Sequence, residues 1–158
     1  QGLHRRKVAY VTDEQDANFA GGSYLHTQRY QHNLKLWESL AEHEQEDVYG
    51  RTKLDNIEYE SADKPLTAHT KRTSLKDDEG NSIEIVRQSM PYGDMKRKGL
   101  FFVSYCHSPK PFEVMLNSMI HGDGHGNSDH LLKFTQAETG SAFFAPSLSF
   151  LEKITEID

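Results

Sequence analysis

Bulky and polar side chains alternate from Ser23 to Tyr30, with Tyr24, His26, Gln28 and Tyr30 on one parity and Leu25, Thr27 and Arg29 on the other. A period of two predicts a strand. Asn33 then offers a helix N-cap, and Leu34, Leu36, Trp37 and Leu40 follow at helical spacing. A second helical set turns Glu42, Glu44, Glu46 and Asp47 outward and Val48-Tyr49 inward, and Gly50 stands where a C-cap belongs. Arg51 to Lys64 is polar and reads as irregular. Pro65 starts the segment that holds His69, which leads into a hairpin with an acidic turn at Asp77-Asp78-Glu79-Gly80-Asn81. Ile83 to Met90 predicts a second strand and Leu100 to His107 a third, with the turn signal Pro91-Tyr92-Gly93-Asp94 between them. Ser108-Pro109-Lys110-Pro111 opens a helix that carries Phe112, Met115, Leu116, Met119 and Ile120. His121 to Asn127 is loop, Ser128 or Asp129 starts a short helix, and Ser141 to Ala145 is a fourth strand. Leu148 to Ile157 closes with a helix or tail.

Strand, helix, two strands, helix, strand is an α+β order. It predicts a ferredoxin-like βαββαβ unit, a four-stranded antiparallel sheet with helices on one face. Residues 1–20 read as an irregular lead-in and 21–158 as the domain. A chain of 158 residues can build one real core.

Composition narrows the partners. The net charge of −6 and the lack of a coherent basic stripe argue against nucleic acid. Lys96-Arg97-Lys98 is the densest basic run and reads as a solvated loop. No stretch approaches the roughly 18 apolar residues that span a bilayer. The single cysteine, Cys106, excludes an internal disulfide and suits a reducing, cytoplasmic setting. It lies in an apolar strand, where packing is its expected role. No phosphate loop, zinc spacing, nucleophile elbow or paired-cysteine motif is present.

Chemistry concentrates in two side chains. His69 is one of nine histidines, so a surface or core role competes with a ligand role. A ligand imidazole needs a partner for its other nitrogen, and Asp129 is available, although its position also suits a helix N-cap. Arg87 shares a strand face with Ile83, Ile85 and Ser89. There it must meet negative charge or stand at an edge. A metal-holding imidazole and an arginine opposite it are two protein-side requirements of a haem site that activates peroxide. His121, Asp123 and His125 alternate like a metal clip, but the glycines around them make that loop soft. His26 and His32 read as surface.

Several runs together resemble the C-terminal half of a dye-decolourising peroxidase of the bacterial cytosolic subgroup. They include Phe19-Ala20-Gly21-Gly22-Ser23-Tyr24, Gly50-Arg51-Thr52-Lys53, Ala68-His69-Thr70-Lys71-Arg72-Thr73 and Ile85-Val86-Arg87-Gln88-Ser89-Met90-Pro91-Tyr92-Gly93. Further on come Gly99-Leu100-Phe101-Phe102-Val103-Ser104-Tyr105, Asp129-His130-Leu131-Leu132-Lys133-Phe134-Thr135 and Thr139-Gly140-Ser141-Ala142-Phe143-Phe144-Ala145-Pro146-Ser147. The match runs over roughly residues 8–150.

The resemblance implies one half of a dimeric α+β barrel and one haem b per chain. His69 matches the axial iron ligand, Arg87 the arginine over the opposite face, and Asp129 the carboxylate that orients the ligand. Ser89, Leu100 and Phe102 match distal pocket walls, and Arg72 and Arg51 are plausible propionate contacts. The implied reaction reduces hydrogen peroxide and oxidises a dye or phenol, with Tyr24, Tyr105 or Trp37 open as electron relays. A haem carrier without turnover, or a haem-free assembly domain, uses the same residues differently.

The family's Gly-x-x-Asp-Gly motif, with its distal aspartate, is not in this chain. The chain is therefore expected to be a piece of a longer peroxidase, with a missing N-terminal half as its partner. An apolar face so left uncovered would favour a homo-oligomer. The family's shell-docking tail is not seen in Glu152-Lys153-Ile154-Thr155-Glu156-Ile157-Asp158, and cargo packed in a protein shell is therefore not expected.

Overall fold

The computed structural model describes residues 2–156. The first twenty residues, expected to be irregular, hold two short helices, α1 (Gly2–Ala9) and α2 (Asp13–Asp16). Tertiary pairing supports them. The Ser23 hydroxyl donates to the Ala9 carbonyl at 2.7 Å, and the His107 amide donates to Val8 at 2.9 Å. These bonds tie the segment to the ends of two strands, information that no local pattern carries.

The strands are β1 (Ser23–His32), β2 (Val86–Arg87), β3 (Met90–Gly93), β4 (Lys98–Cys106) and β5 (Thr135–Ala145). All pairings are antiparallel. The path is β2-β4-β1-β5, and β3 also pairs with β4. The expected four strands are thus five, because the predicted Ile83–Met90 strand is broken. Its two parts, β2 and β3, lie successively along the same edge of β4. Gln88 keeps the edge in register by donating to Val103 at 2.8 Å. Ladder positions still number four, in the order a ferredoxin-like split βαββαβ unit requires. The last strand starts earlier than expected, at Thr135, and a register shift opposite Arg29/Tyr30 absorbs the added length.

Helices cover one face. Between β1 and β2 lie α3 (Leu34–Glu38), α4 (Glu42–Tyr49) and α5 (His69–Thr73). Asn33 caps α3 through its side chain at 3.1 Å, and Gly50 closes α4 at φ 75°, as the sequence suggests. His69 opens a helical turn that the sequence did not signal, and the hairpin follows it as expected. Then come α6 (Lys110–His121), a 3-10 turn (His130–Lys133) and α7 (Leu148–Thr155). The last predicted helical position, Ile157, lies outside the described residues.

Phe112 and Met115 of α6 are buried, as the helical spacing required, whereas Ile120 is exposed. Cys106 is fully buried, its thiol 3.6 Å from the Glu84 carbonyl, and desolvation pushes its pKa up. It packs, as expected of a cysteine in an apolar strand. The other face of the sheet carries Met90, Phe101 and Phe143, all exposed. Among the described residues no helix is long and apolar enough to cross a membrane.

Candidate haem-type site

Ala68 is wholly buried and precedes α5 in an extended conformation, so the chain turns into the helix under cover of the core. His69, the first helical residue, projects from that buried start. Its Nδ1 pairs with Asp129 Oδ2 at 2.7 Å, and the Asp129 side chain has no exposure at all. A neutral imidazole in this contact carries its proton on Nδ1 and donates it, which leaves Nε2 as the unprotonated nitrogen. The other carboxylate oxygen accepts from the Leu131 amide at 2.9 Å. Asp129 therefore does both things its position allowed: it caps the 3-10 turn and orients the imidazole. The His130 amide donates to the Thr67 carbonyl at 3.0 Å, which clamps the two segments together.

His69 lines a cleft of about 1070 Å³ between the sheet and the helices. Arg87, Ser89, Leu100 and Phe102 line the same cleft, and Met115, Leu116 and Met119 of α6 supply apolar wall. Five sequence-expected residues thus converge on one space. Arg87 is exposed and has no ion-pair partner among the described residues, so its charge is available to the cleft. It lies at the strand break. This answers the desolvation problem its apolar face posed: the guanidinium stands at an edge.

Two expectations fail here. Arg51 and Arg72 do not line the cleft. Arg51 is engaged by Glu58 at 2.7 Å and by the side chain and carbonyl of Asn56 at 2.9 and 2.7 Å. Arg72 is buried on α5, one helical turn beyond His69, with its Nε unpaired among the described residues. A propionate role for either has no geometric support. His26 and His32, read as surface, line the cleft instead, together with Gln28 and Tyr30. The period-two grouping had placed these side chains on one face; what it lacked was which face is covered.

Tyr49 was read only as an inward residue. Its ring lies edge-on to His69 with centroids 6.2 Å apart, and Trp37 meets Tyr49 edge-on at 5.6 Å. Burial and the nearby Asp129 charge hold the Tyr49 phenol pKa up. The His121–Asn127 loop forms no ligand set. Asp123 accepts from Asn127 and from the His125 amide at 2.8 and 3.0 Å, chiefly the former pulling its pKa down to about 2.

A buried carboxylate fixing an imidazole in the wall of a large cleft, which an arginine without an ion-pair partner also lines, is an arrangement that suits a protein holding a ligated planar cofactor. The chain belongs to the dye-decolourising peroxidase family: the family described as Dyp-type peroxidase, C-terminal, matches residues 1–150. A dye-decolorizing peroxidase of Mycobacterium tuberculosis is 43% identical over 148 residues, covering 92% of this chain and 44% of that protein. The crystal structure of a dyp-type peroxidase protein from Shewanella oneidensis superposes with a TM-score of 0.94 at 61% identity, over 97% of this chain and 50% of that one. The R244L variant of DypB from Rhodococcus jostii RHA1, solved in complex with heme, gives 0.90 at 37% identity, over 94% and 48%. The chain spans about half the length of the relatives it matches.

Proposed function

We propose that this chain supplies the haem-ligating half of a peroxidase that reduces hydrogen peroxide and oxidises dyes or phenols. The observation that carries the reading is the His69–Asp129 pair, a 2.7 Å contact to a carboxylate with no solvent exposure, set at the wall of the cleft. The residues fit the cofactor. The nitrogen of His69 left free by Asp129 belongs to a residue that lines a space with mostly apolar walls, a donor and a setting that would suit a haem iron. When bound, haem supplies the iron that takes up peroxide and the oxidising equivalents that the reductant draws on.

The protein's own residues do the rest. His69 Nε2 would hold the iron. Asp129 fixes the tautomer and raises the basicity of the ligand through Nδ1. Arg87 stabilises negative charge that develops on peroxide as its O–O bond breaks. Ser89, Leu100 and Phe102 wall the space in which peroxide sits. Large reductants need not reach the iron, because Trp37 and Tyr49 make a ladder of rings to His69. Of the relays the sequence left open, Trp37 gains this support, whereas Tyr24 packs on Phe144 at 5.1 Å, and neither Tyr24 nor Tyr105 lines the cleft. The lone buried cysteine is compatible with a reducing, cytoplasmic setting.

Hemin added to the chain tests the reading. A Soret band that develops in the wild type and is lost in His69→Ala establishes ligation through that residue, and no band in either sinks it. Peroxide-dependent dye oxidation then separates a peroxidase from a haem carrier. Arg87→Leu should keep the band and lose roughly 10²–10³ in dye-oxidation rate, the scale for removing one charge-stabilising donor.

A further inference from the structure

The chain has four methionines, and they fall into two pairs. Met90 and Met95 stand in solvent, 55% and 98% exposed. Met115 and Met119 sit one turn apart on α6 and line the same cleft as His69 and Arg87. Met115 is only 9% exposed, and Met119 is half-buried. Solvent access alone ranks Met95 first for oxidation and Met115 last. Position in the cleft reverses that order, because hydrogen peroxide, on the reading above, is taken up inside it.

The inner pair also belongs to the support of His69. The Asp129 amide donates to the Met119 carbonyl at 2.9 Å, and the Asp129 carboxylate accepts from His69 Nδ1 at 2.7 Å. Helix α6 packs against α5, the helical turn that begins with His69. Leu116 lines the cleft between the two methionines, so the wall admits a plain aliphatic side chain at this level. A thioether adds what leucine lacks, a polarizable sulfur that can accept an oxygen atom. The product is a polar sulfoxide in an apolar wall, and a polar group without a partner there is destabilising.

We propose that Met115 and Met119 are oxidation sites of this protein, converted to sulfoxide by hydrogen peroxide within the cleft, and that the conversion weakens cofactor binding by loosening the segment that carries Asp129. The proposal rests on the peroxidase reading above and sets a limit to it: the chain is switched off by the peroxide it handles. Peroxide is the sole oxidant. The sulfur gives up two electrons and gains one oxygen atom as the O–O bond breaks. The second oxygen leaves as water with both protons. Sulfoxide can be reduced back to the thioether, which makes the loss reversible.

Peptide mass spectrometry tests the site. Trypsin, cutting after Arg87, Lys96, Lys98 and Lys133, leaves Met90 and Met95 in one peptide and Met115 and Met119 in another. In peroxide alone, Met95 and Met90 should gain oxygen first. With hemin loaded and peroxide added in small increments, Met115 and Met119 should gain it first. His69→Ala, treated with the same hemin and peroxide, should return to the order set by exposure. That order in the wild type, with its Soret band present, overturns the proposal and leaves the haem reading standing. No Soret band in the wild type overturns both. The consequence is read separately. Oxidised wild type, stripped and given fresh hemin, should bind it more weakly than before oxidation, and methionine sulfoxide reductase should restore the binding. In Met115→Leu with Met119→Leu the band, scaled to its own starting height, should survive a higher dose of peroxide. Unweakened binding after oxidation of the inner pair, or loss of the band at equal doses in the two proteins, overturns the switch.

Discussion

Asp129 shows how much one residue can be asked to do. One oxygen holds the Leu131 amide at 2.9 Å and the other holds His69 at 2.7 Å, with the whole side chain out of water. Asp129→Asn keeps an acceptor for Leu131 but presents an uncharged amide to the imidazole. Hemin affinity should fall about 10- to 100-fold, the range for loss of such an orienting partner, which a Soret titration would measure. The fold should survive, since the cap is retained. Glu58 is a contrasting charge. It accepts from Lys64 and from Arg51, and the Lys64 hydrogen bond is the first cause of its lowered pKa. A carboxylate with a depressed folded pKa adds stability that is present above its ordinary value of 4.5 and lost as pH falls through the folded value. Glu58→Gln should thus destabilise by about 1 kcal/mol at neutral pH, given that Glu58 is well exposed. The gap from wild type should close in urea melts taken below the carboxylate range.

At the scale of elements, the site depends on how α4 ends. Gly50 sits at φ 75°, where a side chain is strained. A Cβ there would collide with the Thr70 hydroxyl and press on the Ala68 Cβ at 3.1 Å. Those neighbours flank His69 at the start of α5. Gly50→Ala should therefore cost about 1–3 kcal/mol in thermal or denaturant unfolding, as expected for a side chain forced into a positive-φ position. It should also weaken hemin binding, although residue 50 lines no part of the cleft. A variant that melts lower while binding hemin as the wild type does would show that α5 is positioned independently of this turn. The broken edge has a similar logic. Because the chain stops pairing between Arg87 and Met90, Gln88 lines the cleft along with Arg87 and Ser89, where an unbroken ladder would present only alternate residues.

The whole molecule has one covered sheet face and one that is not. On the open face Met90 is 55% exposed and pairs opposite Phe101, while Phe143 is 55% exposed and pairs opposite Leu25. Apolar sheet surface of this kind marks an association site. Either the remainder of a longer protein or a second copy would satisfy it, and both readings accord with a chain that spans about half of its relatives. Alone in solution the chain should associate in a concentration-dependent way by sedimentation. Phe143→Lys should shift it toward monomer without altering the cleft on the opposite face. A wild type that stays monomeric at high concentration would exclude self-association through this surface.

Local chemistry was enough to read much of this. The Asn33 and Gly50 caps, the apolar stripe of α6 and the order of elements follow from side-chain preferences that act over a few residues. The pairing of His69 with Asp129, sixty residues apart, was one candidate among several from the residues alone, and likeness to a family singled it out. What the amino-acid sequence determined by itself was the order of the main helices and strands after residue 20 and which parity each strand side chain takes. Tertiary structure alone decided which sheet face is covered, that Arg51 and Arg72 are not among the residues lining the cleft, and that His26 and Ser104 fall in one row with Arg87. The physical reason is that parity is a property of one backbone, whereas burial and strand register belong to segments that meet only when the chain closes on itself.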